Sequence, residues 1–150
     1  MFLSQFQHNL DDKGRLMIPA RFRELLEGGA YITQGFDKCL MVMTATYFGQ
    51  VYKSIEVMSL ADPTARLLRR LIFSNAYPVV ADRVGRILVP QNLRTFLGIE
   101  NGELIVAGQG EYFEVWTPAL WAEQMAQLQD TEANNSRFAA LDLSKTNSAS

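Results

Sequence analysis

Apolar residues alternate with other positions at Leu16 and Ile18, and again at Ile87 and Val89, two short runs that read as half-buried strands. Each run follows a turn with a glycine, Gly14 or Gly85, where positive φ costs least. An earlier strand enters each turn, Phe6 to Leu10 or Tyr77 to Ala81. Pro19 and Pro90 then end the runs and suit the first turn of a helix. There the apolar period lengthens. Phe22, Leu25 and Leu26, or Leu93, Phe96 and Leu97, stand at i, i+3 and i+4. Loops with Gly28-Gly29 or Asn101-Gly102 lead to further strands, Tyr31–Gln34 and Leu40–Met43, or Leu104–Ala107 and Tyr112–Trp116. Each series closes on a helix, near 46–59 after Thr44 or Thr46, and over 118–129 after Thr117-Pro118. Between them Asp62-Pro63 opens a helix with Leu67/Leu71 and Leu68/Ile72 as apolar pairs and Arg66, Arg69 and Arg70 on or near its polar side. From residue 131 to 150 the chain turns polar and reads as a flexible tail.

The two series are copies of one unit. Asp11 to Arg23 is echoed by Asp82 to Arg94 at a constant offset of 71, with the Asp, Gly, Arg, Pro and final Arg identical. After two inserted residues the match resumes at offset 73, where Ile32, Gly35, Val42 and Thr44 face Ile105, Gly108, Val115 and Thr117. The repeats span 5–47 and 76–120, with connecting helices over 48–75. One unit of four short strands cannot bury its own apolar face. Two interlocked copies can close a barrel and remove exposed edges. The expected fold is mainly β, a pseudo-two-fold barrel with peripheral α-helices.

Composition narrows the function. The 150 residues include a single cysteine, which excludes an internal disulfide framework and a multi-Cys metal site and fits a reducing compartment. No apolar run reaches the ~18 residues of a membrane span, and Met1 to Gln5 lacks a signal peptide's basic flank and apolar run. A cytoplasmic protein is expected. The net charge of −2 conceals a division. Residues 1–94 hold twelve Lys/Arg against eight Asp/Glu, and residues 95–150 hold two against eight. Residues 1–94 therefore form a basic body, followed by an acidic C-terminal stretch over 95–150.

Asp11-x-x-x-Arg15 and Asp82-x-x-x-Arg86 each run through Gly-Arg, an apolar strand and Pro into a helix. With the opening Met-Phe and the length, this duplicated pattern resembles the MraZ family of bacterial transcriptional regulators, built from two SpoVT–AbrB-type units. The resemblance covers residues 1–130. It implies a swapped-hairpin, double-psi-type (AbrB-like) barrel in which one chain supplies both halves. It also implies a homo-oligomeric ring, associated with the nucleoid, that binds double-stranded DNA at repeats in the promoter of its own division and cell-wall gene cluster. One departure is visible: the second copy has Gln91-Asn92 where the first has Ala20-Arg21.

Candidate DNA-binding residues follow from the repeat. Arg15 and Arg86 sit four residues after an Asp. That spacing fits an ion pair bracing the turn, and equally an Asp that orients a guanidinium toward phosphate or a guanine edge. Asp11, Gly14, Asp82 and Gly85 are the turn-bracing residues. Lys13 and Arg83 stand at the turn tips, as solubilising charges or phosphate contacts. Arg21, Arg23 and Arg94 lie on the short helices, where arginine is either solvated or DNA-facing.

Little else points to chemistry. His8 is the only histidine and has no partner for a metal pair, and Cys39 reads as an inert small hydrophobe. Gly108-Gln109-Gly110 is half a dinucleotide fingerprint with Phe113 at the third glycine's place. Asp11-Asp12 is a paired carboxylate that the second copy breaks with Asp82-Arg83. No cofactor, metal or catalysis is expected. The rival functions are a ring that binds only protein, and an enzyme on a double-psi-like barrel using Asp11, Asp12 or His8.

Overall fold

The computed structural model describes residues 1–144 and divides into two compact units, residues 1–118 and the segment from 119 onward. In the first unit the repeat 1 elements are β1 (Gln5–Leu10), β2 (Arg15–Met17), α1 (Ala20–Leu25), β3 (Ala30–Gln34), β4 (Leu40–Thr44) and α2 (Ala45–Glu56). The linking helix α3 (Pro63–Phe73) follows. Repeat 2 supplies β5 (Tyr77–Val79), β6 (Arg86–Leu88), α4 (Gln91–Leu97), β7 (Gly102–Gly108) and β8 (Tyr112–Trp116). The second unit holds α5 (Pro118–Gln127), which begins at the boundary, and α6 (Thr131–Phe138). No helix among the described residues is long and apolar enough to cross a membrane.

All eight strands join one antiparallel sheet in the order β5-β3-β4-β8-β7-β1-β2-β6, a nearly closed barrel. Its end strands, β5 and β6, are linked by a turn in which Asp82 N–H donates to the Arg86 carbonyl at 2.8 Å. The first strands are exchanged between repeats: β1 pairs along its length with β7, and β5 pairs with β3. Strands that correspond in the two repeats pair with each other. Leu16 faces Ile87, its own counterpart at offset 71, and Met41 faces Glu114, its counterpart at offset 73. A pseudo-two-fold axis therefore passes through both pairs, and neither repeat can close its hydrogen bonding without the other.

Alternation places Leu10, Leu16, Ile18, Ile32, Val42, Ile87, Val89, Leu104 and Val115 in the sealed interior. Phe22 of α1 and Phe113 of β8 fill one side of it, 5.0 Å apart, with Phe2 at 5.0 and 5.2 Å from them. Their repeat counterparts, Leu93 and Leu40, are aliphatic, so the core departs from two-fold symmetry where the N-terminus enters. Phe2 is held by exchanged backbone bonds with Gly110 (2.7 and 2.8 Å), and its backbone occupies the space a side chain at Gly108 would need.

The helices end where the polar groups permit. Thr44 caps α2 by accepting from Tyr47 N–H at 3.1 Å, and Asp62 caps α3 by accepting from Thr64 N–H at 2.9 Å. Thr33 of β3 donates its hydroxyl to the Ile72 carbonyl at 2.7 Å, satisfying a C-terminal acceptor of α3. Arg69 donates to the last carbonyls of α2, Ile55 and Glu56, at 3.4 and 3.2 Å. Pro19 and Pro90 lie one position before the helices, as N-caps, with their extended ψ ending the strands. The polar segment after Asp130, expected to be flexible, carries α6, because Asp130 accepts from Ala133 N–H at 3.1 Å and nucleates the turn. Residues 145–150 of that expected tail lie outside the described residues.

Candidate nucleic-acid interface

The two motif turns meet at one end of the pseudo-axis. In the first, Asp11 Oδ1 accepts from the backbone N–H of Lys13 (3.0 Å) and Arg15 (2.9 Å), and Oδ2 accepts from Arg15 Nε at 2.7 Å. In the second, Asp82 Oδ1 accepts from the N–H of Val84, Gly85 and Arg86 at 2.9–3.0 Å, and Oδ2 accepts from Arg86 Nε at 2.9 Å. An aspartate suits this place because its short carboxylate can bond its own backbone two residues on. Donation chiefly from the backbone N–H of Arg15, or of Arg86, lowers each carboxyl's pKa. Both acids thus stay ionised, and each holds its own arginine by Nε, which leaves both terminal nitrogens of Arg15 and Nη2 of Arg86 for a further acceptor.

The turns cross between repeats. Ile18 N–H donates to the Gly85 carbonyl at 3.0 Å and Val89 N–H to the Gly14 carbonyl at 2.7 Å. Pairing of β2 with β6 sets Arg15 opposite Leu88 and Arg86 opposite Met17. Arg86 Nη1 also approaches Asp11 Oδ2, at 3.7 Å. Arg86 therefore faces two carboxylates and is 26% exposed, while Arg15 is 35% exposed.

Of the other candidates, Lys13 and Arg83 are exposed at the two tips, as their positions suggested. Arg21 projects from α1, 67% exposed, and pairs with Glu24 at 3.5 Å. Arg23 takes a different course. Its half-buried side chain crosses to the other repeat and lies on Gly85. Its counterpart Arg94, on α4, lies on Gly14 in the same way, with Cζ 2.7 Å from where a Cβ would stand. Composition gave no sign of this packing. The only trace of it in the sequence is the identity of the last residue of the repeated motif.

The opposite end of the pseudo-axis is polar for another reason. Glu114 accepts from Trp116 Nε1–H at 3.0 Å and its Oε2 lies 3.7 Å from Cys39 Sγ. Burial raises the Glu114 pKa and, with the nearby acids, raises that of the buried Cys39 thiol, so Cys39 is held as the unreactive neutral form. His8 stacks on Phe6, and partial burial followed by the Arg23 charge lowers its pKa. Among the described residues no group of three His, Cys, Asp or Glu is placed to hold a metal ion.

Fold and site define a class, a single-chain barrel of two swapped repeats that gathers aspartate-anchored arginines at its dyad. Comparison with known proteins narrows it. The family model described as "MraZ protein, putative antitoxin-like" matches twice, over residues 1–71 and 72–143. Transcriptional regulator MraZ of Roseiflexus sp. (strain RS-1) is 42% identical over 139 residues, 93% of this chain and 94% of that protein. The protein of the same name from Thermomicrobium roseum is 45% identical over 124 residues, 83% of this chain and 87% of its own. The chain belongs to the MraZ family, whose relatives are transcriptional regulators.

Proposed function

We propose that the protein is a sequence-specific DNA-binding regulator that assembles into a homo-oligomeric ring, in the cytoplasm and on the nucleoid. In this reading it engages tandem repeats in the promoter of the division and cell-wall cluster. The observation that carries this reading is the pairing of Arg15 and Arg86, each held at Nε by its own aspartate with terminal nitrogens left over. A guanidinium fixed in that manner presents a fork that matches the O6 and N7 acceptors of guanine in the major groove. Lys13, Arg83 and Arg21 surround the pair as exposed cations suited to phosphate. Arg86 is partly neutralised by a second carboxylate, so Arg15 makes the stronger base contact.

Self-association is supported by apolar side chains left in solvent around α2 and α3: Tyr52, Val57, Met58, Leu60 and Leu67. One such barrel offers few contacts. Several held together on repeated sites bind through effective concentration. Gel shifts on DNA from upstream of the protein's own gene, at several salt concentrations, test the reading. It expects salt-sensitive, laddered shifts that scrambled DNA does not give. No shift at any salt leaves a ring that binds only protein or an enzyme on a double-psi-like barrel.

A further inference from the structure

We infer that Arg23 and Arg94 are crossed positioning residues, each bracing the DNA-reading turn of the other repeat rather than contacting DNA. This rests on the DNA-binding reading above and extends it to residues that the reading does not use. Arg94 of repeat 2 lies on Gly14, with Cζ, Nε and Nη1 at 2.7, 2.9 and 3.0 Å from an ideal Cβ position. Arg23 of repeat 1 lies on Gly85, with its Cζ at 2.6 Å and Cδ at 2.7 Å from the same point. Both glycines hold φ in the left-handed region, +78° and +94°. Each is thus glycine for two reasons, the backbone conformation and the arginine seated on it.

The arrangement departs from what free phosphate-binding arginines show. The Nε atoms of Arg23 and Arg94 are both buried with no hydrogen-bond partner among the described residues, although an arginine in solvent keeps all its donors hydrated. Arg94 directs Nη2 to its own helix, donating to Gln91 Oε1 at 3.0 Å. The two repeats differ immediately beforehand, Ala20-Arg21 against Gln91-Asn92, yet both place arginine at this position. Each seat adjoins the functional pair. Gly14 precedes Arg15 and its carbonyl accepts from Val89 N–H, while Gly85 precedes Arg86 and its carbonyl accepts from Ile18 N–H. A guanidinium lying on the glycine limits how far the turn can open, and so how far the following arginine can swing. Neither half is then a self-sufficient reader: Arg94 sets Arg15, and Arg23 sets Arg86.

The test is amide hydrogen exchange on the full chain without DNA, followed by DNA titration. Arg94→Ala should speed exchange at Lys13, Gly14 and Arg15 by about tenfold or more, and leave Val84, Gly85 and Arg86 unchanged. Arg23→Ala should do the converse. Arg94→Met, which keeps an unbranched stem over Gly14, should restore part of the protection. On operator DNA, Arg94→Ala should add little to the loss from Arg15→Ala and add in full to that from Arg86→Ala, with an unchanged salt slope. Exchange accelerated in the variant's own repeat, or in neither, overturns the inference. So does a reduced salt slope in Arg94→Met and Arg94→Ala alike, the mark of a phosphate contact. Crossed exchange in a protein that binds no DNA would sink the DNA-binding reading and leave the bracing intact.

Discussion

Asp11 and Asp82 show what one carboxylate can do at a turn. Each bonds two or more backbone N–H groups and the guanidinium of its own arginine, and in each the backbone N–H of that arginine chiefly lowers the pKa below its ordinary 3.8. An acid with a lower pKa folded than unfolded adds stability that is present above the unfolded value and is lost as pH falls through the folded one. Asp11→Asn with Asp82→Asn should therefore flatten the decline in urea midpoint between about pH 5 and pH 2 relative to wild type. A decline as steep as the wild type's would mean that other acids carry it. The glycines offer a sharper comparison. Gly98 has positive φ in open space, whereas Gly14 has positive φ beneath Arg94. Gly98→Ala should cost about 1 kcal/mol in thermal or chemical denaturation, and Gly14→Ala clearly more, since the added methyl also displaces the guanidinium. Equal costs would mean the arginine yields freely.

At the scale of elements, the exchange of β1 and β5 between repeats makes the core a joint product. Phe22 is buried against Phe2, Phe6 and Phe113, with ring centroids 5.0–5.4 Å away. Phe22→Ala should cost about 3–5 kcal/mol and, because both halves share that core, unfold the barrel in one transition. Two transitions by fluorescence and circular dichroism would show that the halves melt separately. Much of this architecture was legible in the sequence. Alternation at Leu16/Ile18 and Ile87/Val89 marked the strands, and the 71-residue offset marked the halves. Which strands pair was not legible, because alternation fixes the buried face of a strand and says nothing of its neighbour. The helix at 131–138 escaped for a local reason: one capping side chain, Asp130, outweighs a polar composition that lacks a periodic apolar face.

On the scale of the whole molecule, twelve of the fourteen Lys and Arg fall within residues 1–94, and the pseudo-axis brings the two motif arginines to one end. The Asp-x-x-x-Arg spacing made Arg15, Arg86 and their aspartates readable as a unit. The seats of Arg23 and Arg94 were not readable, since contact across repeats depends on the crossing of the turns. Leu67, exposed on α3, tests assembly: Leu67→Asp should leave the circular dichroism of the barrel unchanged and shift native mass toward smaller species. An unchanged assembly would remove that face from the subunit contact. The central claim, that these arginines read DNA, is tested most directly by titrating wild type, Arg15→Ala, Arg86→Ala and Lys13→Ala on operator and scrambled DNA at two salt concentrations. Arg15→Ala should lose on the order of 1–3 kcal/mol per engaged subunit on the operator alone, more than Arg86→Ala. Lys13→Ala should weaken both DNAs alike and reduce the salt slope by about one phosphate contact. Folded Arg15→Ala and Arg86→Ala proteins that both bind the operator like wild type would contradict the account and leave these arginines as braces of their own turns.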